Sequence, residues 1–204
     1  MSHTTLGLGV ITWQAHDMLC KLLHQLACHT IEPCLLFVAD DGSTDETPAM
    51  LARTGAGQTY PHRGVCHQRN RVLRHLFGAG CTTVICLDDD AEITEAGWER
   101  HWIAAVAQWG LVWYDGSRSG GEPVACDGGC GHVMAISRGA WEILGDFDER
   151  YDAGWGFEDM EYARRWRRCG FRAAAMSQGV AGGGSGRHNY LDTSGINRKI
   201  FYST

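Results

Sequence analysis

The chain has 204 residues, 44% of them hydrophobic and 21% charged, with a formal net charge of −6. That length and balance predict one globular domain with a sizeable core and exclude a chain that stays unfolded, while the negative charge argues against a generally basic nucleic-acid binder. No run approaches the ~20 apolar residues of a membrane span, and MSHTTLGLGV lacks a basic start followed by a long apolar core, so a cytoplasmic protein without a transmembrane segment is expected.

In chain order, Leu6–Thr12 predicts a strand. The segment from His16 to Cys28 follows, with Met18, Leu19, Leu22, Leu23 and Leu26 on one helical face. Cys34–Ala39 reads as a second buried strand, and Ser43 with Glu46 matches a capping box for a short helix. A brief strand near Gln58–Tyr60 precedes a basic helix at His67–Phe77. Then come a β-prone strand at Thr82–Leu87, a helix at Thr94–Trp109 and a strand at Leu111–Tyr114. This alternation predicts a mostly parallel α/β sheet flanked by helices. Beyond residue 115 glycines crowd 116–131, 154–156 and 179–186, around a strand at Val133–Ser137 and helices near Gly139–Leu144 and Glu158–Cys169. The 27 glycines are about twice the usual share of ~7%, which suggests loops that approach a ligand.

Nine scattered cysteines fit reduced thiols better than a disulfide framework. Cys126, Cys130 and His132 have the spacing of half a zinc site, but no second pair completes it, and core packing is expected for them. Arginines form two groups: Arg63, Arg69, Arg71 and Arg74, then Arg164, Arg165, Arg167, Arg168 and Arg172.

In open α/β sheets ligands bind beyond the carboxyl ends of the strands. Asp40 and Asp41 follow one predicted strand there, and Asp88, Asp89 and Asp90 follow another. Three adjacent carboxylates repel one another unless a cation or hydrogen-bond donors neutralise them, and oxygen ligation by one or two of them suits magnesium or manganese carrying a nucleotide. An EF-hand is excluded because its spacing and closing glutamate are missing. A third acidic cluster, Glu158-Asp159, opens a helix after Gly154-Trp155-Gly156, where glycines let an aromatic face and a carboxylate meet a bound acceptor.

The ordered segments ADDGSTDET, GVCHQRNRVL, CLDDDAEIT, GDFDERYDAGWGFEDMEYARRWRRCGF and GRHNY resemble the family-2-type glycosyltransferases of GT-A fold, from Leu6 to about Tyr190. The resemblance implies a single GT-A domain over 1–204, with residues 1–115 binding a nucleotide diphosphate sugar and 116–204 forming a Gly-rich acceptor half. It places Thr12 and Trp13 near the base and Asp41 against the base imide. Asp41 thereby favours a uracil or thymine carrier, because an acceptor carboxylate facing cytosine N3 would be left unpaired. Arg69 falls near the diphosphate, and the ribose contact falls to either Asp88 or Asp89. Asp90 and the late His188 would be metal ligands with Asp88, Asp159 the general base, and Glu158, Trp155 and Gly156 the acceptor contacts.

The implied reaction is metal-assisted, inverting transfer of the sugar from a UDP-sugar to a hydroxyl. The acceptor is a saccharide or small molecule, or a hydroxymethylated base in DNA that would have to be flipped or single-stranded. Two other classes stay open, a non-catalytic nucleotide-sugar-binding module and a phosphohydrolase using the Asp-x-Asp.

Overall fold

The computed structural model describes residues 5–117, 122–127, 130–154, 156–182 and 195–203. Its strands and helices begin as the periodicity predicts, with β1 (Leu6–Thr12), α1 (His16–His29), β2 (Cys34–Asp40), α2 (Thr47–Thr54), β3 (Gly57–Thr59), α3 (Val65–Gly78) and β4 (Thr83–Asp88). A short β5 (Ala91–Ile93) precedes the expected 94–109 helix, whose first four residues form a turn, so that α4 runs only from Trp98 to Trp109, followed by β6 (Leu111–Tyr114). The second half holds β7 (Val124–Cys126), β8 (Cys130–Ser137), α5 (Arg138–Leu144), a 3-10 turn at Glu149–Ala153, α6 (Glu158–Arg168), β9 (Ala173–Met176), β10 (Val180–Gly182) and α7 (Ile196–Ser203).

Eight strands form one sheet in the order β3-β2-β1-β4-β8-β6-β9-β7, and β5 pairs with β10 in a small second ladder. The expectation of a mostly parallel sheet holds for β1 to β4. Beyond them the sheet is mixed: β8 runs antiparallel to both β4 and β6, β9 parallel to β6, and β7 antiparallel to β9. The reversal has a topological cause: β8 enters the gap between β4 and β6 directly from the 116–131 stretch, without the crossover helix that a parallel neighbour requires.

The sheet is covered on both faces. Leu6, Leu8 and Val10 of β1 share one cluster with Leu19, Leu22 and Leu26 of α1 and Trp98 and Trp102 of α4. Ile11 joins the opposite cluster with Val72 and Leu76 of α3, Trp113, and Tyr162 and Trp166 of α6. Each such large side chain, buried from water, is worth about 1.5–3 kcal/mol of transfer free energy. The glycines that alternate with these residues in β1 set the depth of α3: a Cβ at Gly7 would lie 3.1 Å from the Leu76 side chain, and one at Gly9 would overlap Val72. Bare backbone at these two positions lets α3 settle onto the strand, which brings its polar residues Gln68, Arg69 and Asn70 under the sheet's carboxyl edge.

The capping box expected at Ser43 and Glu46 does not form. Ser43 instead donates its hydroxyl and its N–H to Asp40, and Asp45 accepts the Thr47 N–H at 2.9 Å at the start of α2. The acidic turn thus closes on itself, and a nearer carboxylate replaces the serine cap. The eight cysteines whose side chains are described are free thiols, and among the described residues no helix is long and apolar enough to cross a membrane.

Candidate functional site

The acidic ends of β2 and β4 lie side by side because both strands flank β1 in parallel register, with Thr12 opposite Asp40 and Ile11 opposite Asp88. Alternation along β4 sends Val84, Cys86 and Asp88 toward α3. The antiparallel register between β4 and β8 pairs Leu87 with Val133. One further step along that register sets His132 beside Asp88, on the face shared by Met134 and Ile136. His132 Nδ1 lies 3.2 Å from Asp90 and 3.9 Å from Asp88, and the ligand atoms of all three fall within 4.8 Å of one another. His132 is 4% exposed. Two carboxylate oxygens and one imidazole nitrogen, gathered at a strand end where the buried acids repel one another, fit a divalent cation.

Burial raises the Asp88 carboxyl well above the ordinary range, and the charges of Asp90 and Asp159 add to the rise while Arg69 opposes it. The side chain nonetheless keeps 23% of its surface open, and an approaching cation would reverse that rise by favouring the anion.

Arg69 joins this cluster to a second one. Reaching inward from α3 and 2% exposed, its guanidinium donates to Asp159 and to the Gly131 carbonyl (2.9 Å), and stands 3.5 Å from Asp88 and 3.6 Å from Glu158. These carboxylates hold its pKa even higher than usual, against the effect of burial. Gly131 is required here, since a Cβ would lie 2.5 Å from an Asp159 oxygen and on top of the guanidinium. Glu158 is pushed up to about 7, first by burial and then by the charge of Asp159, and its Oε2 is buried with no hydrogen-bond partner.

The segment that carries Glu158 and Asp159 is anchored to α3. Asn70 exchanges hydrogen bonds with the Phe147 backbone and donates to Glu149, and Asp152 accepts the N–H groups of Cys66 (2.7 Å) and His67 (3.0 Å) as well as pairing with the His67 ring. Farther along, Asn197 of α7 donates to the carbonyls of Tyr151 and Gly156. Among the described residues two that are not glycine have left-handed backbone: Gln14, just after Thr12 and Trp13, and Phe157, just before Glu158. Such conformations concentrate where a fold holds functional groups in place.

Other expected contacts are arranged differently. Asp89 accepts the Thr12 hydroxyl at 2.7 Å and the Trp13 N–H at 3.4 Å, so it ties the end of β1 to the β4 turn, while Asp88 is the member of the triplet that faces Arg69. Asp41, 1% exposed, takes the N–H groups of Arg63 and Gly64 and pairs with His62. Trp13 is 45% exposed and stacks on His62 with ring centres 4.8 Å apart. Trp155 and His188 lie outside the described residues.

The sequence reading expected core packing for His132; the structure does bury it, and sets it beside Asp88 and Asp90, which that reading did not foresee. The signal it lacked was the strand direction that carries His132 to the acidic turn. Cys126 packs against the α3 side of the core and does not enter the cluster that His132 shares with the two aspartates.

A family model described as "Glycosyl transferase family 2" matches residues 8–109, half of the chain. No curated protein matches. Among solved structures, this chain is similar to GalNAc-T7 with UDP, GalNAc and Mn2+ (14% identity, TM-score 0.71, covering 89% of this chain and 44% of that one). It is also similar to the mannosyltransferase PcManGT from Pyrobaculum calidifontis in complex with GDP-Man and Mn2+ (20%, 0.72, 93% and 59%). A third likeness is to S. aureus TarS (15%, 0.61, 85% and 35%). The chain therefore spans between about a third and three-fifths of the length of these structures. With the match over β1 to α4 and the shared architecture, the chain belongs to glycosyl transferase family 2 and has the GT-A fold.

Proposed function

We propose that the chain transfers a sugar from a UDP-sugar to a hydroxyl acceptor with inversion at the anomeric carbon. The observation that carries this reading is Arg69, which connects a cation-type cluster at Asp88, Asp90 and His132 with the carboxylate pair Glu158 and Asp159. A donor diphosphate fits the first cluster and an acceptor hydroxyl the second. Residues 1–115 then serve the donor and 116–204 the acceptor, within a single domain placed in the cytoplasm.

Asp90 and Asp88 would hold Mn2+ or Mg2+, which when bound supplies positive charge to the departing diphosphate. Arg69 holds the Asp159 carboxylate in place, and Asp159 accepts the acceptor proton as the new bond forms, with Glu158 positioning the acceptor. A single displacement needs one base, and this supports inversion over a covalent route. Trp155 and Gly156 would border the acceptor, and His188 would close over the metal from the C-terminal side. Uridine specificity is assigned to Asp41: its oxygens take the N–H groups of Arg63 and Gly64 and face His62 and Arg71, so the base imide would have to displace one of these partners. Thr12 and Trp13 would flank that base, with Asp89 fixing both.

The joint burial of Glu158 and Asp159 against Arg69 supports an enzyme over a binding module.

The test is transfer from UDP- and GDP-sugars to a panel of saccharides, small alcohols and single-stranded DNA with hydroxymethylated bases, with Mn2+ or chelator, and the anomeric configuration of the product read by NMR. Metal-dependent transfer from the UDP-sugar with inverted configuration is expected. Retained configuration, or equal use of GDP-sugars in chelator, overturns the reading.

A further inference from the structure

We propose that His132 is a direct ligand of the cation at Asp88 and Asp90, and that its imidazole makes the site favour Mn2+ over Mg2+. The proposal deepens the metal-assisted reading above and rests on it.

Three observations place the residue there. The β4–β8 register, one step beyond Leu87 and Val133, delivers position 132 to the strand end where the acidic triplet begins. The nitrogen nearest the acids, Nδ1, lies 3.2 Å from one Asp90 oxygen and 3.9 Å from one Asp88 oxygen, a spacing at which one ion can touch all three. The ring is buried, and it packs tilted against Tyr114 with ring centres 5.5 Å apart. Tyr114 in turn accepts the Gly182 N–H at 2.7 Å, so the imidazole is held from behind by β6 and the β10 end. A ligand fixed this way needs little reorganisation when an ion arrives.

The chemistry of the donor set then decides the ion. Mg2+ demands near-ideal octahedral oxygen ligation and keeps its waters, whereas divalent transition metals accept imidazole nitrogen and gain affinity from it. An Asp-x-Asp alone would leave the choice open. Adding a buried histidine from the neighbouring strand biases it toward Mn2+.

The experiment uses the full chain, Mn2+ or Mg2+ as the probe, and UDP at saturating concentration. Bound Mn2+ is read by pulsed electron paramagnetic resonance, and affinities by calorimetry. His188→Gln removes the other histidine assigned to the metal, so a nitrogen coupling that persists in this variant is expected and comes from His132. Adding His132→Gln should abolish that coupling and weaken Mn2+ binding at least tenfold, the scale on which even supporting partners of a metal act. Mg2+ affinity should change by less than threefold. A nitrogen-free spectrum already in His188→Gln, or Mn2+ binding that is unchanged or tighter without His132, overturns the proposal while leaving metal-assisted transfer standing. Tighter binding would mark His132 as a cation that competes for Asp90. Failure of wild-type protein to bind Mn2+ with UDP would instead defeat the metal-assisted reading itself, and this proposal with it.

Discussion

The two arginine-rich helices look alike in sequence and are used in opposite ways. In α3 the polar run Gln68-Arg69-Asn70 is turned inward and buried, each side chain hydrogen-bonded to backbone or carboxylate partners from distant parts of the chain. In α6 the arginines lie along the surface: Arg165 pairs with Glu161 one turn earlier and donates to the Leu144 and Asp146 carbonyls, Arg164 stacks on Phe201, and Arg167 stands 3.7 Å from Asp127. Buried charge needs paired, directional partners, whereas surface charge tolerates loose ones. The difference teaches that function concentrates where a basic helix turns its polar side toward the sheet.

That contrast can be broken most deeply at the inward end. Asp159→Asn keeps the shape and removes the proposed proton acceptor, so the transfer rate should fall by roughly two to four orders of magnitude with donor affinity nearly unchanged in calorimetry. Arg69→Ala leaves Asp159, Glu158 and Asp88 facing one another without their cation, and a stability loss of about 3–5 kcal/mol in urea unfolding is expected. Gly131→Ala should cost about 1–3 kcal/mol by pushing a methyl into the Arg69–Asp159 pair, and a neutral result would show that the pair can move.

Glu158 sharpens the comparison through pH. Its folded form keeps a proton that the unfolded chain releases above the ordinary value of 4.5, so its contribution to stability is full below that pH and is lost as pH rises to about 7. Glu158→Gln should therefore narrow the difference between melting temperatures at pH 5 and pH 8, and an unchanged difference would remove the effect from this residue. The smallest change is expected on α6, where Arg167→Ala should alter stability by no more than about 0.5 kcal/mol and leave transfer to saccharides intact. A selective loss with DNA acceptors would instead give this outward face a phosphate-binding role.

Local pattern was enough for much of the fold. Leu6–Thr12 and Leu111–Tyr114 are strands with the bounds their apolar runs predict, and α1 buries Leu19, Leu22 and Leu26 from the face that its 3.6 period marks. What local pattern cannot carry is pairing between distant segments. Ala173–Met176 is a sheet strand although its three alanines and a methionine signal nothing of the kind, because β6 and β7 on its flanks impose the conformation. In the site, the acids at 40–41, 88–90 and 158–159 were legible as strand and helix ends. The closure of Asp41 by the backbone of Arg63 and Gly64, the assignment of Asp89 to Thr12, and the arrival of His132 all depend on contacts between residues 20 to 80 positions apart.

The carboxylate of Asp152, set on the first turn of α3, has a consequence for how any diphosphate must be held. In many nucleotide-binding folds the phosphates rest on the amide groups that open a helix, and the helix dipole does the work of a cation. Here the amides of Cys66 and His67 already point at a protein anion, and the His67 ring closes the remaining approach. Phosphate brought to that helix would meet a negative charge. A nucleotide anchored at the ends of β1, β2 and β4, as proposed, would have to find its counter-charge across the sheet edge, where Asp88, Asp90 and His132 would hold an ion, because the mouth of α3 is already filled.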